Sequence, residues 1–340
     1  EGKKMREVPS ASAGDIAAAA KLKDTLTGDT LSDIADPVFL PPLPPVQSTL
    51  SYAIHPRTKA DEDKIQAALS RLMEEDPALD FKIGAETKEF ILSGRGQVHL
   101  EVTVERLKRK YGCDVTLSAP RIPYKETIRS HVRVQGKYKK QSGGRGQYGD
   151  TWLDIRPMKR GGGFEFADEI TGGAIPRQYI PAVEKGVREA MQHGPLAGFP
   201  VVDVRVALYD GSCHSVDSSD MAFKIAAAMG LKKGVEEAGP VMLEPVMSME
   251  ISVPEEALGT VIGDINARRG RILGAEPKAG SHIIRAVLPL SEVTAYATVL
   301  KGMTADRGMF TMEFSHYEET PTYLSQKIIE GVKAGKEKGD

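Results

Sequence analysis

Cysteine is almost missing from this chain: Cys113 and Cys213 are the only two in 340 residues. They lack metal-ligand spacing, and so sparse a supply excludes a disulfide framework and fits a reducing, cytoplasmic setting. Long apolar runs are missing too, which excludes a helix that spans a membrane, and no secretory signal opens the sequence. A net charge of −2, from 45 basic and 47 acidic residues, excludes a uniformly basic nucleic-acid coat. Any nucleic-acid binding must be local. The pattern G-x-x-x-x-G-K-[ST] does not occur, so this chain carries no phosphate-loop nucleotide site. The first residue is Glu rather than Met, which suggests a piece of a longer protein.

What is present is ordinary globular composition, 41% hydrophobic and 27% charged, at a length that predicts two or three domains. Residues 1–46 read as the end of a β domain, with Gly14-Asp15 and Gly28-Asp29 as turns, followed by a linker stiffened by Pro41, Pro42, Pro44 and Pro45. Residues 47–123 predict a strand at 49–54 and a helix at 61–75, where Ile65, Ala68, Leu69, Leu72 and Met73 recur at helical spacing. Strands at 78–83 and 89–92 follow. A helix at 98–111 carries Leu100, Val104, Leu107 and Tyr111 on one face and stops at Gly112; a strand at 114–117 closes the unit. The order βαββαβ is the split ferredoxin-like unit.

The same order returns over 244–326. A strand at 246–253 precedes a helix at 254–269 that opens on Pro254 and two glutamates and closes on Arg268 and Arg269. Strands at 271–275 and 282–288, a helix at 291–302 capped by Ser291, and a strand at 309–317 complete it. Residues 327–340 read as a tail. Between the two units, residues 124–243 predict a different, mixed domain. It has strands around a basic loop, a hairpin turn at Gly161, Gly162 and Gly163, a helix at 177–193, a strand at 201–209, a loop at 210–216 and a helix at 217–238. Asp217-Ser-Ser-Asp220 reads as the cap of that last helix. The fold class is α+β, multidomain.

Charge is concentrated in one place. Between Thr127 and Gly149 stand Arg129, Arg133, Lys137, Lys139, Lys140 and Arg145, with no acid. The stretch ends in Lys139, Lys140, Gln141, Ser142, Gly143, Gly144, Arg145, Gly146 and Gln147. Glycines let a backbone approach a polyanion closely, while Gln, Ser and Arg donate to phosphates or base edges. The functional reading is a nucleic-acid-probing loop; a flexible basic hairpin without a partner accounts for the composition equally well. His214, in the polar turn Gly211-Ser-Cys-His-Ser-Val-Asp217, joins it as a recognition residue if the two loops are neighbours. Arg268, Arg269 and Arg271 form a second basic cluster. Helix-end charge complementation explains the first two, and a phosphate contact is the alternative. No catalytic constellation, cofactor site or metal site is read from these residues.

Several ordered motifs carry a resemblance. Pro56-Arg-Thr-Lys-Ala-Asp61, Gly94-Arg-Gly-Gln-Val-His-Leu100, Lys139-Lys-Gln-Ser-Gly-Gly-Arg-Gly-Gln-Tyr-Gly149, Ile175-Pro-Arg-Gln-Tyr-Ile-Pro181, His214-Ser-Val-Asp-Ser-Ser219, Leu243-Glu-Pro245 and Val261-Ile-Gly-Asp-Ile-Asn-Ala-Arg-Arg-Gly-Arg271 occur in this order. Together they resemble the C-terminal half of bacterial translation elongation factor G. The resemblance implies the end of domain II at 1–46, a ferredoxin-like domain III at 47–123, domain IV of ribosomal-protein-S5-like type at 124–243, and a ferredoxin-like domain V at 244–326. It further implies a monomeric, ribosome-bound GTPase that moves tRNA and mRNA. In such a factor the domain IV tip, here Gln141 to Gln147 with His214, enters the decoding region, and Arg268, Arg269 and Arg271 are candidate rRNA contacts. Ribosomal proteins, rRNA, tRNA and mRNA are the implied partners. GTP and Mg2+ belong to a GTP-binding domain preceding residue 1, so this portion is expected to hold no cofactor and no catalysis. One departure stands out: Cys213-His-Ser-Val-Asp217 replaces the usual Tyr-His-Asp-Val-Asp. An elongation-factor-G-like paralogue in ribosome recycling or a specialised role, and a ribosome-protection protein of the tetracycline-resistance type, remain as alternatives.

Overall fold

The computed structural model describes residues 7–41, 50–84, 86–141, 146–278 and 280–337. The chain divides into two compact units, Glu1–Lys82 with Phe90–Ser118, and Ile83–Glu89 with Ala119–Asp340.

In the first unit β1 (Leu50–Pro56), α1 (Lys59–Glu75), β2 (Asp80–Ile83), β3 (Phe90–Gly94), α2 (Gln97–Tyr111) and β4 (Val115–Ser118) form one sheet in the order β2-β3-β1-β4 with two helices. This is the ferredoxin-like arrangement that the sequence order predicts. Helix α1 starts two residues earlier than its apolar repeat suggests because Thr58 builds a capping box. Its hydroxyl accepts from the Asp61 N–H at 3.2 Å, and the Asp61 carboxylate accepts from the Thr58 N–H. That bonding, led by the Thr58 side chain, holds the Asp61 carboxyl below its ordinary range. Gly112 ends α2 at φ 61°, the left-handed stop expected of it. Ile65, Leu69 and Leu72 from α1 and Leu100 and Leu107 from α2 bury against Ile54 and Leu92 of the sheet.

The strands expected near residues 8–31 do not form; residues 7–41 contain only turns and bends. A strand needs a neighbour for its backbone N–H and C=O groups, and none lies alongside: Ile16, Ile34 and Phe39 stand fully or almost fully exposed. Pro42, Pro44 and Pro45 of the expected linker lie outside the described residues.

The second unit begins with β5 (Lys125–Ile128), β6 (Val132–Lys140), β7 (Gln147–Pro157), β8 (Phe164–Asp168), α3 (Ile180–Ala190), β9 (Val204–Ser212) and α4 (Asp220–Glu237). The sheet order is β6-β7-β9-β8, with β8 parallel to β9 and the other pairs antiparallel. Gly161, Gly162 and Gly163 make a turn but not the expected hairpin, because β9 inserts between the strands they join. Residues 177–179 form a 3-10 turn rather than the start of α3, which ends at Ala190. Helix α4 begins at Asp220, where the Ser219 side chain accepts from the Ala222 N–H; Asp217 is engaged elsewhere. Helices α3 and α4 cover one face of the sheet, burying Val134, Leu153, Ile155, Val183, Val187, Val206, Leu208 and Phe223.

Helix α4 lies close to the sheet because its contact stripe is Ala222, Ala226, Gly230 and Gly234. A Cβ on Gly136 would sit 2.1 Å from the Ala226 carbonyl oxygen, and one on Gly149 2.5 Å from that of Ala222. The stripe repeats every fourth residue, one face of a helix.

Then follow β10 (Pro240–Pro254), α5 (Leu258–Ala267), β11 (Arg271–Lys278), β12 (Ser281–Pro289), α6 (Leu290–Val293), α7 (Tyr296–Thr304), β13 (Met309–Glu319) and α8 (Thr322–Glu337). The order β11-β12-β10-β13 repeats the ferredoxin-like pattern. Strand β10 is continuous: its first residues, Pro240 to Leu243, pair with β5, and the remainder pairs with β12 and β13. The helix expected at 291–302 is broken into α6 and α7. Ser291 does not cap it, since its hydroxyl lies 3.2 Å from Arg269 Nη2 and 3.4 Å from Glu244 Oε2. The residues expected to be a tail from 327 onward belong to α8 as far as Glu337.

Candidate nucleic-acid interface

Strands β6 and β7 pair out to Lys140 and Gln147, so Gln141 and Gly146 stand at one end of the sheet. The turn that follows β9 leaves from the same end, because Asp150 of β7 pairs with Ser212 of β9. The two loops are therefore neighbours. Ser142, Gly143, Gly144 and Arg145 lie outside the described residues; Lys139, Lys140, Gln141, Gly146, Gln147 and His214 are described, and the fold brings them together.

Asp217 locks the loops to each other. Its carboxylate accepts from the Gly146 N–H at 3.0 Å, and its carbonyl accepts from the Tyr148 N–H at 2.9 Å. The Ser218 hydroxyl donates to the Tyr148 carbonyl at 3.0 Å and accepts from the His214 N–H at 2.8 Å. The Tyr148 hydroxyl lies 2.7 Å from that of Ser212. A Cβ on Gly146 would stand 2.9 Å from the Asp217 carboxylate and would push against the group that ties the loops.

His214 is half-exposed. Its Nδ1 accepts from the Val216 and Asp217 N–H groups at 3.3 and 3.2 Å. The Asp217 carboxylate also lies 3.4 Å from this nitrogen, so the ring is held through Nδ1 by its own turn. The ring lies 6.3 Å from that of Tyr148, over which Lys137 Nζ sits at 5.7 Å. Lys139 and Lys140 are exposed and make no ion pair with a described residue. The result is a polar turn tied in place at the end of the sheet that also carries exposed lysines, suited to phosphate oxygens and base edges. Asp217, Ser218 and Tyr148 organise the site, and the sequence reading gave them no such part. Their signal was present, since a polar run of two more residues than a cap requires has to bond somewhere.

The second cluster is used within the protein. Arg268 bonds the Asp264 carboxylate at 2.8 Å and the Glu292 carbonyl at 2.8 Å. Arg269, in the left-handed region at φ 61°, makes a bidentate pair with buried Glu244 at 2.6 and 3.0 Å and reaches Glu292 at 3.0 Å. These bonds, the Glu244 pair foremost, raise its pKa further above the ordinary guanidinium range. Arg271 pairs with Glu318 and stays mostly exposed. Among the described residues no group of His, Cys, Asp and Glu is arranged to hold a metal ion, and no helix is long and apolar enough to cross a membrane.

Comparison with known proteins agrees with this architecture. The family model of elongation factor G domain III matches residues 45–119, that of domain IV residues 120–239, and that of the elongation factor G C-terminus residues 241–328. A crystal structure of a protein from Thermus thermophilus aligns at 43% identity and a TM-score of 0.76, covering 90% of this chain. The chain spans 46% of that protein, about half its length. With its fold, its loops and three consecutive domains in agreement, the chain belongs to the elongation factor G family.

Proposed function

We propose that this chain is the ribosome- and tRNA-engaging portion of a translational GTPase that promotes tRNA–mRNA translocation during protein synthesis, acting as a monomer in the cytoplasm. The observation that supports it most is the pair of loops at one end of the β6-β7-β9 sheet. They are cross-tied by Asp217 and carry the half-exposed His214 at the end of the sheet where Lys139 and Lys140 close β6. A recognition tip needs polar groups held in place and no proton transfer, and this arrangement supplies both. GTP and Mg2+ chemistry is assigned to a part of the factor outside this chain, as rRNA contact is to Arg271 ahead of the internally bonded Arg268 and Arg269.

In the full-length factor, His214→Ala should slow tRNA–mRNA movement while ribosome-stimulated GTP hydrolysis stays nearly unchanged; stopped-flow translocation and phosphate-release assays read the two separately. A fall in GTP turnover with the mechanical step intact would overturn the reading. Lys140→Ala should weaken ribosome engagement, lower the salt dependence of binding by about one counterion, and leave the melting temperature in place, since Lys140 is exposed. The second reading, a paralogue in ribosome recycling, draws on the loop Cys213-His-Ser-Val-Asp217. It predicts that the same His214 variant impairs subunit splitting and spares translocation.

A further inference from the structure

We propose that the uncovered face of the β6-β7-β9-β8 sheet is a stacking platform for single-stranded RNA, continuous with the two loops at its end. The proposal rests on the reading of those loops as RNA-engaging and extends it to a surface with different residues.

Register decides what this face carries. Val134, Gly136, Leu153 and Ile155 point to α4, so their neighbours Arg133, Gln135, Lys137, Trp152 and Asp154 point away from it, on a side that no described helix covers. Across the β9 edge Tyr209 joins Trp152, with ring centroids 6.4 Å apart, and the Arg133 guanidinium lies 5.2 Å from the Tyr209 ring. Trp152 and Tyr209 are only partly buried. Tyr148, on the same side of β7 and four residues before Trp152, stands roughly 13 Å away along the strand. It touches the loops through Ser212 and His214. The aromatic rings thus form a line from the loops up the sheet.

The charges are layered. Asp154 has a side chain only 3% exposed, and it bonds His131 at 3.0 Å, Arg133 at 2.8 Å and Arg156 at 2.7 Å, whose side chains are 47%, 60% and 48% exposed. Asp150, also buried, is satisfied by Gln135 and Ser212 at 2.8 and 2.7 Å. The acids are therefore the floor, and the cations with their remaining N–H groups are the surface. The Arg156 bond, with Arg133 and His131 behind it, outweighs burial and holds the Asp154 carboxyl well below the ordinary carboxylate range, so the anchor stays ionised. Around Asp154 one carboxylate meets two guanidinium groups, a local positive excess, while across the whole face Asp150, Glu165 and Glu169 bring acids and bases into balance. Arg205 closes the far end with Glu165 and Glu169. Aromatic faces interleaved with Arg and Lys are what unpaired bases and their phosphates require, whereas paired bases offer no open face to a sheet.

Trp152 is the only tryptophan in the chain, so its emission reports this face alone. The 340-residue chain is titrated with a short, unstructured oligouridylate, following tryptophan emission and, separately, the anisotropy of a dye on the RNA. Saturable quenching that tracks the anisotropy is expected. Tyr209→Ala should weaken binding by about fivefold or more, and Arg133→Gln, at an exposed side chain that spares the fold, should weaken it and flatten its salt dependence. Circular dichroism checks both variants. If anisotropy rises with unchanged emission, and only Lys139→Ala and Lys140→Ala weaken binding, the loops engage RNA and the platform assignment is wrong. Equal quenching by a duplex RNA, or by a peptide and not the oligouridylate, also overturns it. Absence of any response in either signal overturns the loop reading together with it.

Discussion

Replacing Glu126 with alanine should cost about 3–5 kcal/mol of stability, because it strips several buried backbone donors of their acceptor at about 1–3 kcal/mol each. Glu126 is fully buried at the start of the second unit. Its carboxylate accepts backbone N–H bonds from Leu196 at 2.9 Å, Ala197 at 2.9 Å, Gly198 at 3.1 Å and Phe199 at 3.1 Å. Of these four donors only the Gly198 N–H also reaches a carbonyl, that of Gly194 at 3.0 Å, and each buried donor left unpaired costs about 1–3 kcal/mol before water enters. Glu126→Gln separates the contributions. It keeps the oxygen that Ala197, Gly198 and Phe199 share, and sets an NH2 group against the Leu196 N–H. Urea denaturation should therefore rank wild type, Gln, then Ala in falling midpoint. Equal midpoints for Gln and Ala would show that the anchor works by charge alone, and a wild-type midpoint for Ala would refute it altogether.

Gly136→Ala should cost about 3 kcal/mol or slightly more, at the upper end of overpacking effects. The added methyl meets backbone on every side: the Ala226 carbonyl oxygen at 2.1 Å and Gly230 Cα and N at 2.7 Å. Backbone in the middle of an 18-residue helix cannot yield locally, so α4 as a whole must lift from β6 and β7. Its N-terminus follows directly on Ser218 and Asp217, which tie the two loops together, so the lift should reach the tip. Thermal denaturation should show the loss, and the amides of Gly146 and Tyr148 should exchange faster with solvent. A thermal midpoint equal to that of the wild type would contradict the close packing. Faster exchange at residues 220–237 alone would confine the damage to the helix.

Local patterns made much of the fold legible. The apolar repeat of residues 61–75 and Gly112 mark helix ends through forces acting within a turn or two, and the structure follows them to within two residues. The errors arose where a distant partner decides. Gly161, Gly162 and Gly163 favour a turn, but which strand lies beside β7 depends on β9, nearly fifty residues later. Ser291 is a good cap by type, yet Arg269 and Glu244 take its hydroxyl. Neither Gly136 nor Gly230 stands out by type, and the structure uses both for their lack of a side chain. The spacing Ala222, Ala226, Gly230, Gly234 did contain that information. Glu126 gave no warning, since nothing in a glutamate on a strand announces four amides arriving from residues 196–199. At the candidate interface the basic loop and His214 stood out by type. The Asp217 tie that makes one surface of two loops depends on the strand register that juxtaposes them.

The unbroken strand β10 has a mechanical consequence. Antiparallel ladder bonds run perpendicular to their strands, so a pull along β10 loads them in shear, side by side rather than one after another. Toward β12 the load is shared over nine residue pairs, from Val246 to Pro254, but toward β5 over only four, from Pro240 to Leu243. Under tension the molecule has a built-in fuse on the β5 side, reinforced by the ion pairs of Arg129 and Arg160 to Glu319, the Ser130 hydroxyl on the Ala238 carbonyl and Lys125 over the Tyr317 ring. Under compression the same strand has no break at which to fold, so the stretch paired with β5 and the stretch paired with β12 and β13 shift together.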